Sequence, residues 1–168
     1  NDGASAGPGG KASTASHCSA AHPSGGTLVT AVTLDNGSLT TRSVLRGAGW
    51  GSAVTLTDNN STTALGQGGL DNAHAAVGAC DMAFNSLGEV FLVASSDNGT
   101  GVMTYKSSDN GSAWTRIQHR ADAGGALRDI SVAIDTQLNL PVVATNAVGS
   151  KVALFKLDNS TGTDTWVT

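Results

Sequence analysis

Ser107-Ser108-Asp109-Asn110-Gly111-Ser112-Ala113-Trp114 sets a hydroxyl, a carboxylate, a glycine and an indole at residues 107, 109, 111 and 114. Those types at that spacing suit a tight turn better than a reaction. The Asp carboxylate can accept backbone N–H groups within the turn. The glycine supplies a backbone angle that other residues resist. The indole can then pack on a neighbouring strand.

Other reactive groups are thinly spread. The chain has one tyrosine, Tyr105, and one glutamate, Glu89. Its arginines, Arg42, Arg46, Arg116, Arg120 and Arg128, are scattered. Two-carboxylate glycoside chemistry would have to rely on Asp residues, most of which sit in Asn-Gly-type turns. His17, His22, His74 and His119 lack the spacing of a zinc motif. His17, Cys18 and His22 cluster loosely, and a surface-loop role is favoured over a metal. Asp97, Asp109 and Asp158 could offer oxygens to calcium, but no D-x-D-x-D run accompanies them, so turn capping is the better reading. Gly66-Gln67-Gly68-Gly69 has no following helix or lysine to make a phosphate cradle. No metal and no cofactor is expected.

The elements that position the turn come from a repeat. Met82 to Ala94 matches Val132 to Ala144 at a shift of 50, and Tyr105-Lys106 then falls on Phe155-Lys156. A fainter copy, Gly25 to Ala31, aligns with Gly88 to Ala94 at a shift of 63. The chain has three Trp, one per copy, at Ala-to-Trp separations of 19, 20 and 22 residues. A period of this size means stacked supersecondary units, and four short strands per unit is the blade of a β-propeller. Residues 1–17 are expected to be a flexible arm. Residues 18–57 form unit one, with strands near 18–22, 26–34, 38–45 and 50–57. Residues 58–79 are a connection. Residues 80–120 form unit two, with strands near 80–85, 89–95, 101–107 and 113–119. Residues 121–128 connect it to unit three at 129–168, with strands near 129–135, 140–146, 150–157 and 165–168. The Asp-Asn-Gly triplets read as hairpin turns.

Composition agrees with an all-β chain. Of 168 residues, 39% are hydrophobic, only 13% are charged, and 22 are glycine. The net charge of −4 with no basic cluster gives no support for nucleic-acid binding. No apolar run approaches a membrane span. Cys18 and Cys80 both open the first strand of their units. In a propeller those strands are innermost and adjacent, so a disulfide is favoured over two buried thiols. Six N-x-S/T sequons begin at Asn36, Asn59, Asn60, Asn98, Asn110 and Asn159. Paired cysteines and polar turns favour an extracellular or cell-surface setting.

The 107–114 segment resembles the Asp-box of sialidase-like, BNR-repeat β-propellers. Asp129 to Asp135, followed by Asn139 to Ala144, looks like a common propeller blade opening. The resemblance implies that the box is a structural turn at the outer rim, between the third and fourth strands of a blade. Unit three carries a distorted box ending at Trp166, and unit one keeps only Gly49-Trp50. Sialidase-like enzymes use an arginine cluster, a Tyr/Glu nucleophile pair and an Asp acid. Here Tyr105 aligns with a core strand residue, and Glu89 sits at a turn edge where solvation is its expected role. The fold expected is all-β, in blade-like repeats of a partial or oligomer-completed propeller, with a β-sandwich as the alternative.

Three units leave open sheet edges, which invite association. The leading functional expectation is a non-enzymatic extracellular structural or adhesive protein that self-assembles as a homo-oligomer or polymer, such as a filament or layer subunit. The first alternative is a carbohydrate-binding propeller with Trp50, Trp114 and Trp166 as glycan platforms. A sialidase-like hydrolase fragment is the second.

Overall fold

The computed structural model describes residues 12–34, 39–56, 79–95, 101–121, 129–147, 151–158 and 165–167. Among them the strands run β1 (Ala12–Ala21), β2 (Thr27–Leu34), β3 (Leu39–Leu45), β4 (Val54–Thr55), β5 (Cys80–Phe84), β6 (Val90–Ser95), β7 (Gly101–Ser107), β8 (Thr115–Ala121), β9 (Ile130–Asp135), β10 (Leu140–Ala147), β11 (Lys151–Asp158) and β12 (Thr165–Val167). They form three four-stranded antiparallel meanders, β1-β2-β3-β4, β5-β6-β7-β8 and β9-β10-β11-β12. The first strands β1, β5 and β9 pack side by side. These are blade-like repeats of a partial or oligomer-completed β-propeller, and the sandwich alternative falls.

One turn device opens every sheet, built from three side chains. The last residue of the first strand, or the one just after it, accepts the N–H of the residue two places on. His22 Nδ1 takes Ser24 N–H at 3.1 Å, Asn85 Oδ1 takes Leu87 N–H at 3.0 Å, and Asp135 Oδ1 takes Gln137 N–H at 2.9 Å. The turns differ in how they close. Asn85 pairs with Glu89 across a turn held by Gly88 at φ 80°. In the third sheet Asp135 pairs with Leu140, and Asn139, at φ 55°, donates its N–H to Asp135 O at 2.7 Å.

The third turn is therefore one residue longer, and register follows the turn. Met82 faces Leu92 in the second sheet, but Val132 faces Val143 in the third, not Val142. A slip of one residue exchanges the two faces of a strand. Val143 accordingly takes the place opposite Val132 that the sequence repeat gives to Val142. The first turn is also longer, since His22 N–H bonds to Thr27 O. That extra residue accounts for the offset of Cys18 against Cys80 in the repeat frame.

A large apolar cluster joins the first two sheets, with Val29, Ala31, Leu39 and Leu56 against Met82, Leu92, Met103 and Tyr105. Cys18 and Cys80 form a disulfide there, Cα–Cα 5.8 Å. Closing 62 residues of chain contributes about 4 kcal/mol on the chain-entropy account. Two smaller clusters join the second and third sheets, one around Val93, Val102 and Val143 and one around Phe91, Leu140 and Leu157. Polar bonds reinforce that junction. Asp81 accepts Met82 N–H at Oδ1 (2.9 Å) and Val132 N–H from β9 at Oδ2 (2.8 Å). Asn85 Nδ2 donates to Asn139 O at 3.1 Å, and Ser86 Oγ donates to Asn139 Oδ1 at 2.7 Å.

Two expectations about strand extent are corrected. Part of the expected flexible arm is strand: β1 starts at Ala12, because Ala12 pairs with Leu34 and His17 with Val32 across an irregular register. The fourth strand of unit one shrinks from 50–57 to Val54–Thr55. Trp50 makes only an isolated bridge to Val44, and Gly51 N–H turns back to Ser43 O at 2.8 Å, so the glycine-rich entry does not run as a ladder.

Candidate functional site

The box at 107–114 links β7 to β8, the last two strands of the second sheet. Ser107 Oγ is its hub. It donates to Asp109 Oδ1 at 2.7 Å and accepts Gly111 N–H at 2.8 Å. Asp109 Oδ1 also accepts Ala113 N–H at 2.9 Å, which closes the turn. Asn110 and Gly111 both adopt left-handed backbone, at φ 60° and 84°. Gly111 is required twice over. A Cβ there would stand 3.0 Å from Val29 Cγ1 of the first sheet. The box is therefore a wedge between sheets as well as a rim turn. Trp114 is half-buried, packs against the cluster joining the first two sheets, and donates Nε1–H to Gly111 O at 3.1 Å.

Burial opposes ionisation of Asp109, but hydrogen bonds from Ala113 N–H and Ser107 outweigh it and hold the carboxyl below its ordinary value of 3.8. At neutral pH Asp109 is a carboxylate. The two short hydrogen bonds fall on Oδ1, and the N–H groups of Ser112 and of Asp109 itself also face the carboxylate.

Two clefts flank the box. The larger, about 440 Å³, is lined by Lys106, Ser108, Asp109, Ala113, Thr115 and Ile117. The smaller, about 240 Å³, lies between the first two sheets, with Val54, Thr55 and Leu56 facing Tyr105, Ser112, Ala113 and Trp114. Ligand pockets run from roughly 300 to 1,000 Å³. The larger cleft lies within that range and the smaller below it.

Among the described residues, Glu89 and Asp135 are committed to ion pairs. Glu89 is not simply solvated, as expected from its turn position. Its Oε1 lies 2.6 Å from Lys106 Nζ, and its Oε2 accepts Asn85 Nδ2 at 2.8 Å. Burial opposes its ionisation, and Lys106 and Asn85 more than offset that, so its carboxyl sits below the ordinary 4.5. Asp135 pairs with Lys156 at 3.0 Å, and this contact with Gln137 N–H lowers its carboxyl. Tyr105 is buried in the core, as its alignment predicts.

The glycan-platform candidates separate. Trp50 is 44% exposed at the edge of the first sheet, and Trp114 is a packed ring with one flank toward the smaller cleft. The side chain of Trp166 lies outside the described residues, as do Asn36, Asn59, Asn60, Asn98 and Asn159. Asn110 is exposed at the tip of the box. The structure brings Lys106, Thr115 and Ile117 to the box, which the sequence reading did not single out. Lys106 left a signal in its match with Lys156. Among the described residues no three His, Cys, Asp or Glu side chains could hold a metal ion. No helix there is long and apolar enough to cross a membrane.

No protein-family model matches the chain, and no curated protein matches it in sequence. In structure it is similar to an exo-β-1,3-galactanase from Clostridium thermocellum, with a TM-score of 0.54 and 13% identity. The match covers 88% of this chain and 35% of that one, so this chain spans about a third of the galactanase's length. The likeness is one of fold, and it does not single out the sialidase-type Asp-box family. It overturns the leading functional expectation. The expectation of a non-enzymatic structural or adhesive subunit, self-assembling into a filament, rests on open sheet edges together with the missing sialidase residues. Those residues are the wrong standard once the matching architecture is that of a different glycoside hydrolase. By its architecture the chain is all-β, built of blade-like antiparallel repeats.

Proposed function

We propose that this chain supplies blades of a carbohydrate-active propeller of the glycoside-hydrolase kind, acting on neutral glycans, with β-linked galactan the first substrate class to test. The observation that carries the reading is the structural match to an exo-β-1,3-galactanase across 88% of the chain. A cleft of ligand size beside an ionised Asp109 supports it, because carboxylates are natural acceptors for sugar hydroxyls. The disulfide between Cys18 and Cys80 supports an extracellular setting, where a polymeric glycan would be met.

The test is incubation of the protein with β-1,3-galactan and a panel of other neutral β-glycans, following released sugars by chromatography. Release of galactose or short galacto-oligosaccharides is the expected result. Absence of product from every glycan in the panel would sink the hydrolase reading. A carbohydrate-binding role is the second reading. It is favoured by Asp81, the inner-strand carboxylate, both of whose oxygens are taken by backbone N–H groups.

A further inference from the structure

We infer that the larger cleft beside the box is a glycan subsite mounted on the rim of the second blade, away from the inner strands. It takes its ligand class from the carbohydrate reading above. Its own chemistry supplies the rest. Asp109 presents Oδ2 as an ionised acceptor, while Oδ1 is pinned by Ser107 and Ala113, so the acceptor is fixed in direction before any ligand arrives. Lys106 lines the same cleft and presents a donor. One ammonium contact goes to Glu89 at 2.6 Å, which holds the side chain in place and leaves further N–H donors. The stem of Lys106 is steadied over Phe91, with Nζ 5.9 Å from the ring centroid.

A fixed acceptor and a fixed donor in one cleft suit adjacent hydroxyls of a sugar ring, each of which both donates and accepts. Ser108 and Thr115 add exposed hydroxyls, while Ala113 and Ile117 give an apolar wall for the C–H face of the ring. The preorganisation is the reason to assign binding here. A ligand pays little to order groups already held by the turn and the ion pair. The smaller cleft lacks such a pair. Its polar side chains are Thr55, Ser112 and the buried Tyr105, and it holds no charged group.

The experiment is calorimetric titration of the protein with β-1,3-galactobiose and β-1,3-galactotriose, run beside the hydrolysis assay. Two arginine variants are compared with wild type. Thr115 lines only the larger cleft and is exposed, so Thr115→Arg fills it without disturbing a core. Thr55 lines only the smaller cleft, and Thr55→Arg is the control. Binding weakened roughly tenfold or more by Thr115→Arg and unchanged by Thr55→Arg is expected. Both variants should keep the wild-type unfolding temperature. Equal binding by wild type and Thr115→Arg would overturn the subsite while leaving any hydrolysis intact. Binding lost in Thr115→Arg, with no product released by wild type, would uphold the subsite and remove the hydrolase reading. No binding of either oligosaccharide by wild type would also overturn the subsite.

Discussion

The two junctions between neighbouring sheets solve the same problem with different chemistry. The first and second sheets share one large apolar cluster, a disulfide and the box wedged against Val29. The second and third share two small clusters, and their specificity comes from Asp81 bonded to Val132 N–H and from Asn85 and Ser86 bonded to Asn139. Apolar area is non-directional. It holds sheets together without fixing how they slide. Directional bonds at the second junction fix a register that the longer turn at Asn139 has shifted. A repeat in sequence thus does not imply a repeat in what fastens the blades.

Reducing the disulfide is the strongest test of this contrast. Reduction, or a paired Cys18→Ser and Cys80→Ser change, should cost about 4 kcal/mol, read from chemical denaturation. Amide protection should fall first in β1 to β4 and last in β9 to β11. Equal loss everywhere would mean that the two junctions are one cooperative unit. Gly111→Ala comes next, at about 2 kcal/mol. It combines left-handed backbone strain with a Cβ against Val29. Gly88, in the turn between β5 and β6 at φ 80°, offers a check, because a Cβ there meets only the His22 ring at Nε2, the far end of a side chain.

The parts of this molecule that the sequence reveals are those governed by local chemistry. The three meanders follow from alternating apolar runs and turn residues, and Ser107, Asp109 and Gly111 make a turn whose bonds are nearly all internal. The pairing of Cys18 with Cys80 needed only the idea that first strands sit together. Register was hidden, since Val142 and Val143 are both valine and only the length of the turn decides which faces Val132. The cleft was hidden too. Lys106, Asp109 and Ile117 meet because the box folds back and β8 pairs with β7, with an irregularity between Thr104 and Tyr105 that no spacing rule announces. Functional expectation failed for a related reason. It was measured against one family's catalytic residues, while architecture is shared far more widely than any one constellation.

At the polar junction, Asp81→Ala removes the acceptor for Val132 N–H and Met82 N–H. The expected cost is about 1.5 kcal/mol, from unfolding curves in urea. Exchange should quicken at Val132 while β1 to β4 keep their protection. A change that spreads to the disulfide-linked junction would break the proposed division between the two.

The smallest effect belongs to the charge on Asp109. Asp109→Asn keeps a carbonyl oxygen able to accept from Ser107 Oγ and Ala113 N–H, so the turn persists and only the charge is lost. The folded carboxyl lies below its ordinary 3.8, so ionisation favours the folded state. That contribution is complete above the ordinary value and fades as the pH falls through the lowered folded value. Wild type should therefore exceed Asp109→Asn slightly in unfolding temperature at pH 7, and the gap should close only well into the acid range. The side chain is largely solvated, so added salt should narrow the gap at pH 7 as well. A gap that stays constant down to acid pH would assign the difference to hydrogen-bond geometry in place of charge.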